Sequence, residues 1–164
     1  MKPLPLIYLT AMLGLIACGP QQNAYQNDDD VPSPDPRAKQ LWGDNLAAAK
    51  AQAAKNNKLV FVDFTGSDWC PPCMALHDHV LTQKAFLDFA EENLELVVID
   101  FPKNKPLDEK VELANRALAE QYNIKIFPTV LVLDVDGTVV HREEGPSNKN
   151  AKAYTADLKQ ALGK

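Results

Sequence analysis

A chain of 164 residues, 46% of them hydrophobic, is long enough for one domain with a packed core. Its net charge of −5, with no basic stripe interleaved with aromatics, argues against a nucleic-acid partner. Of its three cysteines two share one motif, so none remain for a structural disulfide framework.

Lys2 precedes an apolar run from Leu4 to Ile16, broken only by Pro5, Thr10 and Gly14. The run is too short to span a bilayer comfortably and fits the apolar region of a secretory signal. It ends in Leu15-Ile16-Ala17-Cys18, which resembles the lipobox of bacterial lipoproteins. That resemblance implies that residues 1–17 are a signal peptide, cleaved before Cys18. The sulfur and amino group of Cys18 then carry acyl chains, and more than one chain makes a stable anchor. An ordinary signal peptide, or a short membrane anchor with an incidental cysteine, is the alternative. Residues 18–37 read as the acylated cysteine and a disordered tether. They are polar at 21–23 and 27–30 and stiffened by Pro32, Pro34 and Pro36. Gly19 after that cysteine points by analogy with some bacteria toward outer-membrane sorting, and the choice between inner and outer membrane stays open.

Residues 38–164 read as one folded domain. Leu41, Trp42, Leu46, Ala49 and Ala53 fall near helical spacing and predict one helix from Ala38 to Asn56. Leu59 to Phe64 predicts a buried strand with an acid, Asp63, inside it. Cys73 to Ala90 predicts a helix with Leu76, Val80, Leu87 and Ala90 on one face. Leu94 to Ile99 is continuously apolar and predicts a central parallel strand. Leu107, Val111, Ala114, Leu118 and Tyr122 mark another amphipathic helix. Thr129–Leu133 and Thr138–His141 flank Asp136-Gly137, a hairpin signal. Ser147 is placed to cap a last helix. The order α-β-α-β-α-β-β-α predicts an α/β fold, with a mixed sheet of about four strands, helices on both faces and an extra N-terminal helix.

Trp69-Cys70-Pro71-Pro72-Cys73 lies between the first strand and the helix that follows it. Cys70 then sits at a helix N-terminus, where backbone N–H groups and the helix dipole favour a thiolate. A thiolate beside a second thiol is poised for thiol–disulfide exchange. Pro71 and Pro72 fit the first helical turn, whose N–H groups lack intrahelical acceptors, and they remove two donors near the Cys70 sulfur. The same spacing also fits half a zinc site. His77, four residues after Cys73, shares its helical face, so Cys70, Cys73 and His77 stand as a metal-binding alternative. Asp63 reads either as a buried carboxyl with a raised pKa or as a strand-end acid that reaches solvent. No G-x-G-x-x-G loop marks a flavin or nicotinamide site, so no cofactor is expected. His79 is the other candidate for that further metal ligand, and His141 suggests no role.

From about residue 38 to 163 the chain resembles the thioredoxin superfamily. Four features carry the resemblance in order: Val62-Asp63-Phe64, the Trp69-to-Cys73 motif, Phe127-Pro128-Thr129 before the hairpin, and Gly145 after it. Asp63 to Cys70 especially resembles exported thioredoxin-like proteins of bacteria. The resemblance implies a partly exposed Cys70 as nucleophile and a more buried Cys73 as resolving thiol. Asp63 would take the Cys73 proton through water. A cis Phe127–Pro128 bond would sit beside the disulfide, Phe127 would pair with an extended substrate segment, and Trp69 would flank the groove. Together these imply a monomeric thiol–disulfide oxidoreductase, anchored by lipid on the periplasmic or extracellular side. It would reduce protein disulfides and be recharged by a membrane electron donor. A disulfide oxidase or isomerase is the alternative within this chemistry, and a redox-inert module lies outside it. Strong oxidants of the family often carry a histidine between the cysteines, and this chain does not. A potential nearer about −270 mV than −120 mV is therefore expected. There are three departures. One extra residue separates Asp63 from Cys70, no lysine occupies the Leu94–Ile99 strand near that acid, and Phe101–Glu112 is longer than in thioredoxin.

Overall fold

The computed structural model describes residues 33–164, so the signal segment, Cys18 and most of the tether lie outside the described residues. The chain runs through a short helix α1 (Ala38–Leu41), a two-residue strand β1 (Trp42–Gly43), α2 (Leu46–Asn56), β2 (Leu59–Thr65) and α3 (Pro71–Leu76). A π-helical turn (His77–Leu81), α4 (Lys84–Asn93), β3 (Leu94–Asp100) and α5 (Glu109–Gln121) follow. A hairpin of β4 (Thr129–Leu133) and β5 (Val139–Glu144) leads to α6 (Ala151–Leu162). The sheet order is β1-β3-β2-β4-β5. β3 runs parallel to β1 and β2, while β4 is antiparallel to β2 and β5.

The mixed sheet is the expected one, with five strands in place of about four. The helix expected over 38–56 is broken at Trp42–Gly43, which pairs with Leu96–Val97 as the added strand. Gly43 weakens a helix there, and the Asn45 side chain accepts the Ala48 N–H at 2.9 Å, starting α2 afresh. α2 stops where expected, with Asn57 in the left-handed conformation that favours Gly or Asn.

The helix expected over 73–90 is also broken. Thr82 Oγ1 donates to the carbonyls of His77 (3.0 Å) and Asp78 (3.3 Å), and Gln83 Nε2 donates to Asp78 O at 2.6 Å. These side chains take carbonyls that a continuous helix would use, and the turn widens into π geometry before α4 begins. The last helix starts after Ser147. Asn150 caps it by accepting the Ala153 N–H at 2.9 Å.

Strand alternation divides the core into two layers. Phe61 of β2 joins Leu76, Val80, Phe86, Leu87, Tyr154 and Leu158 on one face. Val60, Val62 and Phe64 join Leu46, Ala53, Val97, Ile99 and Leu131 on the other. Asp63, two residues after Phe61, belongs to the first face, the one that α3, α4 and α6 cover.

Candidate functional site

β2 ends at Thr65, and a tight loop hands the chain to α3. Gly66 O accepts the N–H groups of Trp69 (3.4 Å) and Cys70 (3.0 Å). The loop is fastened to the end of β3, where Asp100 accepts both the N–H (2.9 Å) and the hydroxyl (2.6 Å) of Ser67. Asp68 reaches across to the next loop and accepts the N–H groups of Lys103 (2.9 Å) and Asn104 (2.8 Å). Those bonds, the Lys103 one foremost, hold its carboxyl below the usual carboxylate range. The extra residue before Cys70 and the long segment after β3 are thus laced to one another.

Cys70 is the N-cap of α3, and its carbonyl accepts the N–H groups of Cys73 (3.0 Å) and Met74 (3.1 Å). Pro71 and Pro72 occupy the first helical positions, where their missing N–H groups leave nothing unpaired. Cys70 and Cys73 are joined as a disulfide, with Sγ–Sγ 2.05 Å and Cα–Cα 5.3 Å. Cys73 is 1% exposed and Cys70 only 4%, less than the partly exposed cysteine expected. Ring closure holds the Cys70 sulfur against Cys73, one turn inside the helix.

Beside this pair, Trp69 sets its indole on Gly66, where an added Cβ would lie 2.5 Å from the ring. Its Nε1 donates to Phe101 O at 2.7 Å, and Lys103 Nζ lies 3.7 Å above the ring. The indole meets Phe127 edge-on with centroids 5.8 Å apart, and Phe101 meets Phe127 at 5.3 Å. The Phe127–Pro128 bond is cis. Pro128 is buried, and its carbonyl accepts the Gly145 N–H at 2.8 Å, tying the two downstream features together. Trp69, Phe127 and Pro128 came from the sequence. Phe101 and Lys103 did not, although a Phe-Pro-Lys run directly after an apolar strand was their only local mark.

Asp63 is 3% exposed. Burial, with the charge of Asp100 as a smaller cause, pushes its carboxyl up to about 7. Val98 faces it in the β2–β3 register, where the sequence lacks a cation. Asp63 opens into a cleft of about 620 Å³ that Trp42, His77, Thr82 and Val98 also line. His77 is exposed and its Nδ1 lies 2.7 Å from Asp78 Oδ1. Among the described residues no three His, Cys, Asp or Glu side chains converge as metal ligands. His141 Nε2 lies 3.0 Å from Glu143 Oε1 on β5.

The chemistry open to a reversible dithiol in this setting is electron-pair transfer to or from another disulfide. A family model for the thioredoxin-like domain matches residues 46–161. Disulfide bond reductase DsbH of Chlamydia pneumoniae is 29% identical over 151 residues, covering 92% of this chain and 90% of the relative. A solved structure described as DsbH oxidoreductase is 31% identical, with a TM-score of 0.70 over 74% of this chain and 83% of that one. The C-terminal domain of Neisseria meningitidis DsbD, in its reduced form, is 26% identical, with a TM-score of 0.54 over 74% of this chain and 99% of that one. With both its sequence and its sheet matched over most of their length, the chain belongs to the thioredoxin superfamily, among the thiol–disulfide oxidoreductases.

Proposed function

We propose that this chain is a lipid-anchored reductase of protein disulfides that works outside the cytoplasm. The Cys70 thiolate attacks one sulfur of a substrate disulfide, and the other substrate sulfur leaves as a thiolate. Cys73 gives its proton to Asp63 through water and attacks Cys70 Sγ in the mixed disulfide. The second substrate sulfur leaves, and the Cys70–Cys73 bond closes. Two electrons have passed to the substrate, and its two sulfurs take up protons. Trp69, Phe127 and Pro128 form the wall along which an extended substrate segment lies.

One observation carries this reading: the Cys70–Cys73 bond at the start of α3 is the end state of that sequence. The name of the Chlamydia pneumoniae relative, a disulfide bond reductase, supports the direction. So does the absence of a histidine between the cysteines. A carboxyl held near 7 suits a group that must both take and release a proton at neutral pH. The lipobox-like Leu15–Cys18 supports a division into signal peptide (1–17), acylated tether (18–37) and catalytic domain (38–164). Without a flavin or nicotinamide motif, the dithiol is recharged by an electron donor in the membrane.

Purified protein should speed the reduction of insulin by dithiothreitol, and Cys70→Ser should abolish the effect, while Cys73→Ser should accumulate mixed disulfide. Trapped in living cells, the pair should be mostly reduced. A mostly oxidised pair, with a potential above about −150 mV against glutathione, would replace this reading with that of an oxidase. Cys18→Ser should move the protein from the membrane to the soluble fraction.

A further inference from the structure

The loop after β3 carries charge that the redox chemistry does not use. Phe101 touches Phe127 and Lys103 stands over Trp69, and beyond them the loop borders a second cleft, of about 520 Å³. Phe101, Lys103, Lys105, Glu112, Asn115 and Arg116 are among its lining. Its charged side chains are thus three cations and one carboxylate, in a chain whose net charge is −5.

Nearby acids are already engaged. Asp68 accepts the N–H groups of Lys103 and Asn104, and Asp100 accepts both donors of Ser67. Glu112 pairs with Arg116 on α5, and Asp108 caps that helix. Lys105 helps to lower the Asp68 carboxyl by its charge alone. Among the described residues neither Lys103 nor Lys105 makes an ion pair. Lys103 Nζ instead lies 3.7 Å from the centre of the Trp69 ring. The ring face holds the cation there and leaves its N–H donors for a further acceptor. The backbone beneath these lysines is braced. Pro102 and Pro106 bracket them and fix φ on either side. The bonds to Asp68 tie the loop to the segment before Cys70, and buried Asn115 donates to Asp100 O at 2.9 Å. A backbone already held in place loses little freedom on binding.

We infer that this cleft is a second substrate subsite, which selects protein disulfides flanked by acidic residues. Lys103 joins the two regions, since its cation stands over Trp69 and its side chain lines the cleft. An extended substrate segment that passes Trp69 brings its flanking residues to Lys103 and Lys105. Acidic side chains there meet unpaired ammonium groups, whereas basic ones meet like charge. The loop is also where this chain is longer than thioredoxin, so the subsite is an addition to the shared fold. The inference rests on the reading of Trp69, Phe127 and Pro128 as the substrate wall.

The test uses two synthetic peptides, each closed by one disulfide, with either two glutamates or two lysines beside the cysteines. The prereduced full chain should react with the glutamate peptide about tenfold faster at low salt, as two attractive contacts replace two repulsive ones. The ratio of second-order rate constants should fall to about twofold in about 0.5 M salt. The net charge of the chain favours the opposite order, so the preference can come only from the local array. Lys103→Gln with Lys105→Gln should bring the ratio to about one or below, and Lys103→Arg with Lys105→Arg should keep it near tenfold. A wild-type ratio at or below one, or a ratio that the glutamine pair leaves unchanged, would overturn the subsite. Binding is scored apart from chemistry with the glutamate peptide carrying serine in place of both cysteines. Added to the oxidised, nitrogen-15-labelled full chain, it should shift the amide signals of residues 103–105. Shifts elsewhere only, or none at millimolar peptide, count against the subsite. Insulin reduction that survives in Cys70→Ser would sink the reductase reading, while this binding experiment would still judge the cleft.

Discussion

Asp63 shows how one side chain couples acidity to stability. Its carboxyl sits at about 7 in the folded protein against 3.8 ordinarily, with burial as the main cause. Between those values the native state holds a proton that the unfolded chain has lost. Stability therefore falls as pH rises from about 4 to about 7 and levels off above, a loss on the order of 4 kcal/mol. Asp63→Asn removes that slope. Urea denaturation should show the variant gaining on the wild type across this window, by about 2–4 kcal/mol at alkaline pH. Mixed-disulfide resolution should slow by about 10²-fold in the same variant, and its rise with pH, centred near 7 in the wild type, should vanish. Gly66→Ala places a methyl 2.5 Å from the Trp69 indole. The ring must move off the Phe101 carbonyl, so we expect a loss of about 1–3 kcal/mol and altered tryptophan fluorescence. Asp63 was legible because a charge inside an apolar strand contradicts its surroundings. Asp68, Asp100 and Phe101 were not, because their partners lie more than 30 residues away in the chain and meet only after the sheet has formed.

At the scale of elements, side chains that compete with the backbone decide where helices stop. Thr82 and Gln83 draw off the His77 and Asp78 carbonyls and open the π-helical turn. Thr82→Val keeps the shape and removes the hydroxyl, and should cost about 1 kcal/mol by urea denaturation. Asn150→Ala removes the cap of α6 and should cost about 1 kcal/mol by the same measurement. Apolar spacing located every one of these helices but not their breaks. A period of 3.6 passes smoothly through Thr82-Gln83, between Val80 and Leu87, and through Trp42-Gly43, between Leu41 and Leu46. Asn45 and Asn150 compete with Asp44 and Ser147 for the same capping role, and only tertiary packing chooses between them.

Across the whole molecule, the order of strands and helices was legible because β2, β3 and β4 are apolar runs too continuous for an exposed sheet. β1 was not, as two residues carry no alternation to read. The layer that holds Asp63 is braced by an aromatic series, Trp42 on Phe86, Phe86 on Phe61 and on Tyr154. Phe86→Ala should cost about 3–5 kcal/mol in thermal or urea unfolding, because three rings lose their common neighbour.

The cleft over Asp63, lined in part by Trp42, Pro34, Pro36 and Ala38, has a practical corollary for anyone preparing this protein. The family match begins at Leu46, and a shortened version cut there is the convenient one to purify. Such a version lacks both Trp42 and the Pro34–Ala38 cover. Its Asp63 would lose part of its cover, and its carboxyl would move down toward the ordinary carboxylate range. Rates measured on it would describe a different acid from the one at work in the intact chain.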